Sequence, residues 1–126
     1  MSNFVVPDSV GGLVWTSSPY SKFFLLTGLV VPSGTAYLIL TVKTGYTDPS
    51  ESALVVINGT AIGTIDPRPW TNHFAIDLET MIFVFDNSVL SGFPYGPVNN
   101  LQIVLQGNLA DPYNYLLLGD AICHYQ

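Results

Sequence analysis

Within eight residues, 66–73, the chain reads DPRPWTNH and so carries a carboxylate, a guanidinium, an indole and an imidazole on one short stretch. A flat aromatic face suits the C–H side of a pyranose, and fixed polar groups suit its hydroxyls. Asp66, Arg68, Trp70 and His73 therefore have the types needed to hold a sugar. Prolines on both sides of Arg68 restrict φ, so its planar fork can be aimed with less loss of entropy. The structural alternative has Trp70 buried at an end of the fold, Arg68 paired with Asp66 or Asp77, and His73 capping a strand. A second stretch, SGFPYGPVNN, offers Tyr95, Asn99 and Asn100, and a third, NLADPYNY, offers Asp111, Tyr113 and Asn114. Tyr, Asn and Gly are also what any long exposed loop contains. The expected ligand-binding set is Asp66, Arg68, Trp70, His73, Tyr95 and Asn99.

Catalytic chemistry has fewer candidates. Asp120 lies close to Cys123 and His124 in sequence, but positions i and i+4 of a strand stand about 13 Å apart on one face, too far for a dyad. Two histidines and one cysteine are few ligands for a transition metal. TGYTDPSE, with Tyr46, Asp48 and Glu51, has two carboxylates, few for calcium, and reads as a solvated turn. No enzyme, no cofactor and no metal site is expected. Cys123 has no partner for an intrachain disulfide and reads as a small buried hydrophobe. Asn58 opens a glycosylation sequon, but Asn-Gly between LVVI and AIGTI is the signature of a tight type I′ hairpin turn.

These residues need a scaffold, and composition says which kind. A chain of 126 residues fits one domain, residues 1–126. Hydrophobic residues make up 48% and aromatic residues 13%, ample for a core, while charged residues at 10% fall well under the roughly 25% of an ordinary soluble domain. Only Lys22, Lys43 and Arg68 are basic, and a net charge of −6 repels phosphate backbones, so nucleic acid is not an expected partner. The longest apolar runs are too short for a membrane-spanning helix. The first residues, MSNFVVPDSVGG, lack the basic and apolar regions of a signal peptide, which leaves a cytoplasmic location or a non-classical route of export.

No window sustains apolar residues at helical spacing, and Gly and Pro recur throughout. Strands are expected at 13–17, 22–31, 36–44, 52–57, 61–65, 73–78, 81–85, 100–106 and 115–124. LQIVLQ alternates, with Leu101, Ile103 and Leu105 on one face. FFLLTGLVV and YLLLGDAI do not, which predicts cover on both faces. The expected fold is all-β, an antiparallel β-sandwich of about eight or nine strands.

The order of elements over residues 53–125 resembles the jelly-roll sandwiches of the galactose-binding-domain-like superfamily, which includes many carbohydrate-binding modules. The resemblance rests on ALVVINGTAIGTI, then HFAIDL or FVFDNSVLSG, then NNLQIVLQ, then YLLLGDAICHY. Two Phe-x-x-Asp segments compete for one place, and no acidic cluster stands where many members hold a structural calcium. The resemblance implies a sugar-binding module or a descendant of one, in a superfamily also used for protein contacts and assembly. The expected function is a non-catalytic, lectin-like module that binds a glycan weakly through end loops. Its alternative is a β-sandwich subunit that self-assembles or binds a protein. Low charge with many aromatics suits either, because contact surfaces are depleted of Lys, Glu and Asp. A homo-oligomer is expected, because charge is low and strands such as 23–31 carry apolar residues on both faces, and weak sites would then gain avidity from valence.

Overall fold

A computed structural model describes residues 3–9, 11–15, 20–26, 33–46, 52–66, 79–90, 98–105 and 115–126. Nine strands form among them: β1 (Asn3–Asp8), β2 (Leu13–Trp15), β3 (Tyr20–Phe24), β4 (Thr35–Tyr46), β5 (Ala53–Ile57), β6 (Thr60–Ile65), β7 (Glu79–Asp86), β8 (Asn99–Leu105) and β9 (Tyr115–Tyr125). A 3-10 turn, Asn87–Val89, follows β7. One sheet runs β1-β9-β4-β7, with β2 also paired to β9; the other runs β3-β8-β5-β6. Every pairing is antiparallel. With β2 set aside, the sheets contain the first, eighth, third and sixth strands and the second, seventh, fourth and fifth, which is the jelly-roll order. The all-β antiparallel sandwich is the fold that the turn spacing predicts.

The alternation of β8 explains how the sheets face each other. Leu101, Ile103 and Leu105 are buried while Gln102 and Val104 are half-exposed. They meet Val55 and Ile57 of β5, Leu38, Leu40 and Val42 of β4, and Leu116, Leu118 and Cys123 of β9 in one core. Each such aliphatic side chain contributes about 1.5–3 kcal/mol by leaving water.

YLLLGDAI fails to alternate for a different reason than cover on both faces. Leu116, Leu118, Ala121 and Cys123 all point inward, so the parity of β9 changes between Leu118 and Ala121. The pairing to β4 shifts register at that point, from Leu40↔Ala121 to Val42↔Leu118, and a bulge restores the inward set. The strand expected at 22–31 is found at Tyr20–Phe24, with Leu25 and Leu26 beyond it and the rest of that range outside the described residues. The strand expected at 73–78 also lies outside them. β1 was not expected: it is short, and Pro7 removes a donor inside a register shift between Val5 and Asp8.

Two contacts close the sides of the sandwich. At one side β1 faces β3, and the Tyr20 hydroxyl donates to the Asp8 carboxylate, both residues being buried. The Gly11 amide donates to the other Asp8 oxygen at 3.1 Å, and Lys22 Nζ stands 3.9 Å from Asp8. Burial and the Asp8 carboxylate together push the Tyr20 phenol well above its usual range. At the other side β6 faces β7, and the Phe83 ring lies where a side chain at Gly63 would project, inside van der Waals contact. Gly63 is required there for space.

Candidate functional site

Antiparallel pairing fixes which connections share an end of the sandwich. Ala53 is opposite both Ile65 and Leu105, Val42 is opposite Glu79, and Tyr46 is opposite Tyr115. The strand ends that flank residues 47–51, 67–78 and 106–114 therefore all stand at one end. Asp66, the first residue after β6, is exposed at that end. The chain crosses between sheets from Asp66 to Glu79, since β6 belongs to one sheet and β7 to the other. Arg68, Trp70 and His73 fall on this crossing and lie outside the described residues, as do Asp48, Glu51, Asp111, Tyr113 and Asn114.

Asn99 stands at the opposite end, six residues before Leu105 along β8, roughly 20 Å away. Tyr95 lies outside the described residues, on the segment that leads into Asn99. Asn99 is 1% exposed, and its Oδ1 accepts from Asn58 Nδ2 at 2.8 Å. Its side chain is used inside the fold. One small ligand cannot touch both Asp66 and Asn99.

This second end is a hydrogen-bonded frame built around the Asn-Gly turn. Asn58 (φ 51°) and Gly59 (φ 81°) both have positive φ, as the type I′ turn requires. The Asn58 amide nitrogen of the side chain also donates to Val89 O at 2.8 Å, its Oδ1 accepts from the Asn100 backbone at 2.9 Å, and its own backbone N–H donates to Asn100 O at 3.0 Å. Asn100 Nδ2 reaches Ser21 Oγ at 2.9 Å, tying β8 to β3. Asn87 donates its backbone N–H to Gly34 O at 3.0 Å and its side-chain amide to Gln126 O at 2.9 Å. Asp86 caps the 3-10 turn by accepting from the Ser88 backbone at 2.8 Å, which lowers its carboxyl below the usual range. Of the two Phe-x-x-Asp segments, FVFD thus ends in a capping aspartate. HFAIDL lies outside the described residues.

The residues near Asp120 do not assemble into a catalytic group. Asp120 and His124 share the outer face of β9, while Cys123 is buried on the inner face, where burial pushes its thiol up to about 12. Among the described residues no three His, Cys, Asp or Glu side chains gather as for a metal ion. Among them also, no helix is long and apolar enough to cross a membrane.

A feature that the sequence reading missed lies on the outer face of the sheet containing β4. His124 is opposite both Phe4 and Tyr37, and Tyr37 is opposite Val84, so these four form one row. Ile122, Ile39 and Ile82 form the next row. Phe4 is 61% exposed, Tyr37 42%, Ile82 62% and Val84 59%. The signal was present in ETMIFVFD, where Ile82 and Val84 are apolar at positions opposite in face to Met81, Phe83 and Phe85.

The strand order defines a jelly-roll β-sandwich with connections gathered at two ends. No family model and no curated protein sequence matches the chain. Among solved structures, a family 35 carbohydrate-binding module from an environmental isolate is similar to it, with 17% identity and a TM-score of 0.47 over 98% of this chain and 72% of that chain. This is a likeness, and the fold stands on the strand order without it.

Proposed function

We propose that the chain is a non-catalytic carbohydrate-binding module whose glycan site is the end of the sandwich at the β6–β7 crossing. Asp66, Arg68, Trp70 and His73 supply its contacts: the indole takes a sugar face, and the carboxylate, guanidinium and imidazole take hydroxyls. The observation that carries this reading is that the strand ends flanking three connections meet at one end of the sandwich, where Asp66 is exposed. Rigid sheets that present variable connections are the usual platform for binding residues. Asn99 is left out of this site because it is buried and bonded at the other end. Tyr95 is left out because its segment leads to that same end.

Stacking one sugar face on an indole buries little area, so a single site should bind at about 0.1–1 mM, or roughly −4 to −5.5 kcal/mol. The test is a broad glycan array with the wild type, followed by titration and thermal melting of Trp70→Ala. Support would be a bound glycan whose affinity falls at least about tenfold while stability is retained. Absence of any bound glycan, or destabilisation by the roughly 3–5 kcal/mol of a buried tryptophan, would assign the loop to the fold. A self-assembling subunit is the second reading. It draws on the apolar outer face around Tyr37 and does not compete with the first.

A further inference from the structure

Among the described residues, nothing covers the outer face of the β1-β9-β4-β7 sheet, where Phe4, Tyr37, Ile82 and Val84 are exposed. Of its two apolar rows, one spans all four strands, from Phe4 on β1 to Val84 on β7, and the other spans β9, β4 and β7; His124 is the one polar side chain in either. Thr35, Asp86 and Gln126 bound the patch at one end, and Thr80 and Asp120 at the other. Residues of these sizes and exposures leave roughly 600 Å² of mostly apolar surface, at the top of the range for the largest patch on a monomer. A standard interface takes about 800 Å² from each partner, with an apolar centre and a polar rim. The patch and its threonine, aspartate and glutamine rim together approach that size and have that arrangement.

Charge selects the occupant. An anionic membrane surface recruits apolar faces that are flanked by Lys and Arg, whereas this chain has three basic residues in all and a net charge of −6. A strongly basic or acidic partner would need opposite charges within the contact, and the centre of the patch has none to offer. A neutral apolar face is complementary to itself. Antiparallel sheets pack face to face about 10 Å apart with their side chains interdigitated, and a two-fold axis brings one patch against its copy.

We propose that this face is the homodimer interface, with a second copy of the chain packed sheet to sheet across a two-fold axis near Tyr37 and Ile122. The inference rests on the assembly reading and is independent of the glycan site. Both rows are then buried, and the exposed side chains of β7, an edge strand among the described residues, are covered instead of open to indiscriminate association.

Sedimentation equilibrium at about 10–100 µM tests it, with far-ultraviolet circular dichroism and melting to verify folding. The wild type is expected at twice the 13.7 kDa chain mass. Ile82→Lys and, separately, Tyr37→Lys place a charge at an exposed position that the interface would bury twice, and each is expected to weaken association at least about 100-fold with the fold intact. Phe23→Lys, at a 70% exposed position on the outer face of the other sheet, is expected to leave the dimer unchanged. A wild type that stays at 13.7 kDa overturns both the interface and the assembly reading. An oligomer that survives Ile82→Lys and Tyr37→Lys overturns the interface alone and leaves assembly to another surface. Should one variant fail to fold, the other decides.

Discussion

Asn58 shows how much one side chain can do in this fold. It takes the left-handed conformation that the turn needs, and its amide bridges Val89 of the 3-10 turn to Asn99 and Asn100 of β8. Alanine there loses these bonds, leaves the buried Asn99 oxygen without this donor and keeps the positive φ. The expected cost is about 2–4 kcal/mol in chemical denaturation. Gly59 is the contrast. A methyl group there meets nothing within 4 Å, so Gly59→Ala should cost only the backbone strain of its φ of 81°, about 1 kcal/mol. If the two substitutions cost the same, the bridging bonds contribute nothing and the turn is held by geometry alone. The Asn-Gly pair was legible in the sequence because the requirement is local. The partners of Asn58 were not, because Asn99 and Asn100 reach it only through pairing of distant strands. For the same reason Asn99 looked like a rim residue.

At the level of elements, β8 was legible from its period-two alternation, and β5 and β6 from the apolar runs on either side of the Asn-Gly turn. Where long-range geometry overrode the pattern, either the facing of a correctly expected strand was lost, as in β9, or the strand itself, as in β1. In β9 a register shift against β4 resets which residues face inward, and no local feature of YLLLGDAI announces it. In β1 a proline and an exposed Phe4 hide a strand that exists because β9 offers it an edge. The placement of Asp66 and Asn99 at opposite ends likewise follows from strand order, which a linear reading does not contain. The edge contacts between sheets can be tested at this scale. Tyr20→Phe removes one donor from the buried Asp8 carboxylate while keeping the ring, so about 1–3 kcal/mol of stability should be lost. Gly63→Ala drives a methyl group into Phe83 across the other side and should cost about 1–3 kcal/mol by overpacking. Restoration of stability in Gly63→Ala by Phe83→Leu would attribute that loss to the ring contact.

For the whole molecule, the buried acids of the core and the edge tie stability to pH on the alkaline side. Burial raises the Cys123 thiol from its ordinary value of 9.0 to about 12, and the Tyr20 phenol is raised as well, by burial and by Asp8. In both cases the folded state holds its proton more tightly than the unfolded chain. Their contribution is therefore complete below the unfolded values and is lost as pH rises toward the folded ones. The Cys123 window runs from 9.0 to about 12. Within it each pH unit should remove about 1.4 kcal/mol, and above about pH 10, where an unfolded tyrosine begins to ionise, Tyr20 should roughly double that slope. Urea unfolding at pH 8, 9.5, 10.5 and 11 measures the curve. Cys123→Ala shifts the whole curve by a constant packing cost, but it should flatten the section between pH 9 and 10 and halve the slope beyond it. Tyr20→Phe should leave the first section intact and reduce only the second. A wild-type curve that stays level to pH 11, or a Cys123→Ala curve parallel to it throughout, would mean that the thiol is not buried in the folded state and that the core does not close over β9 as described.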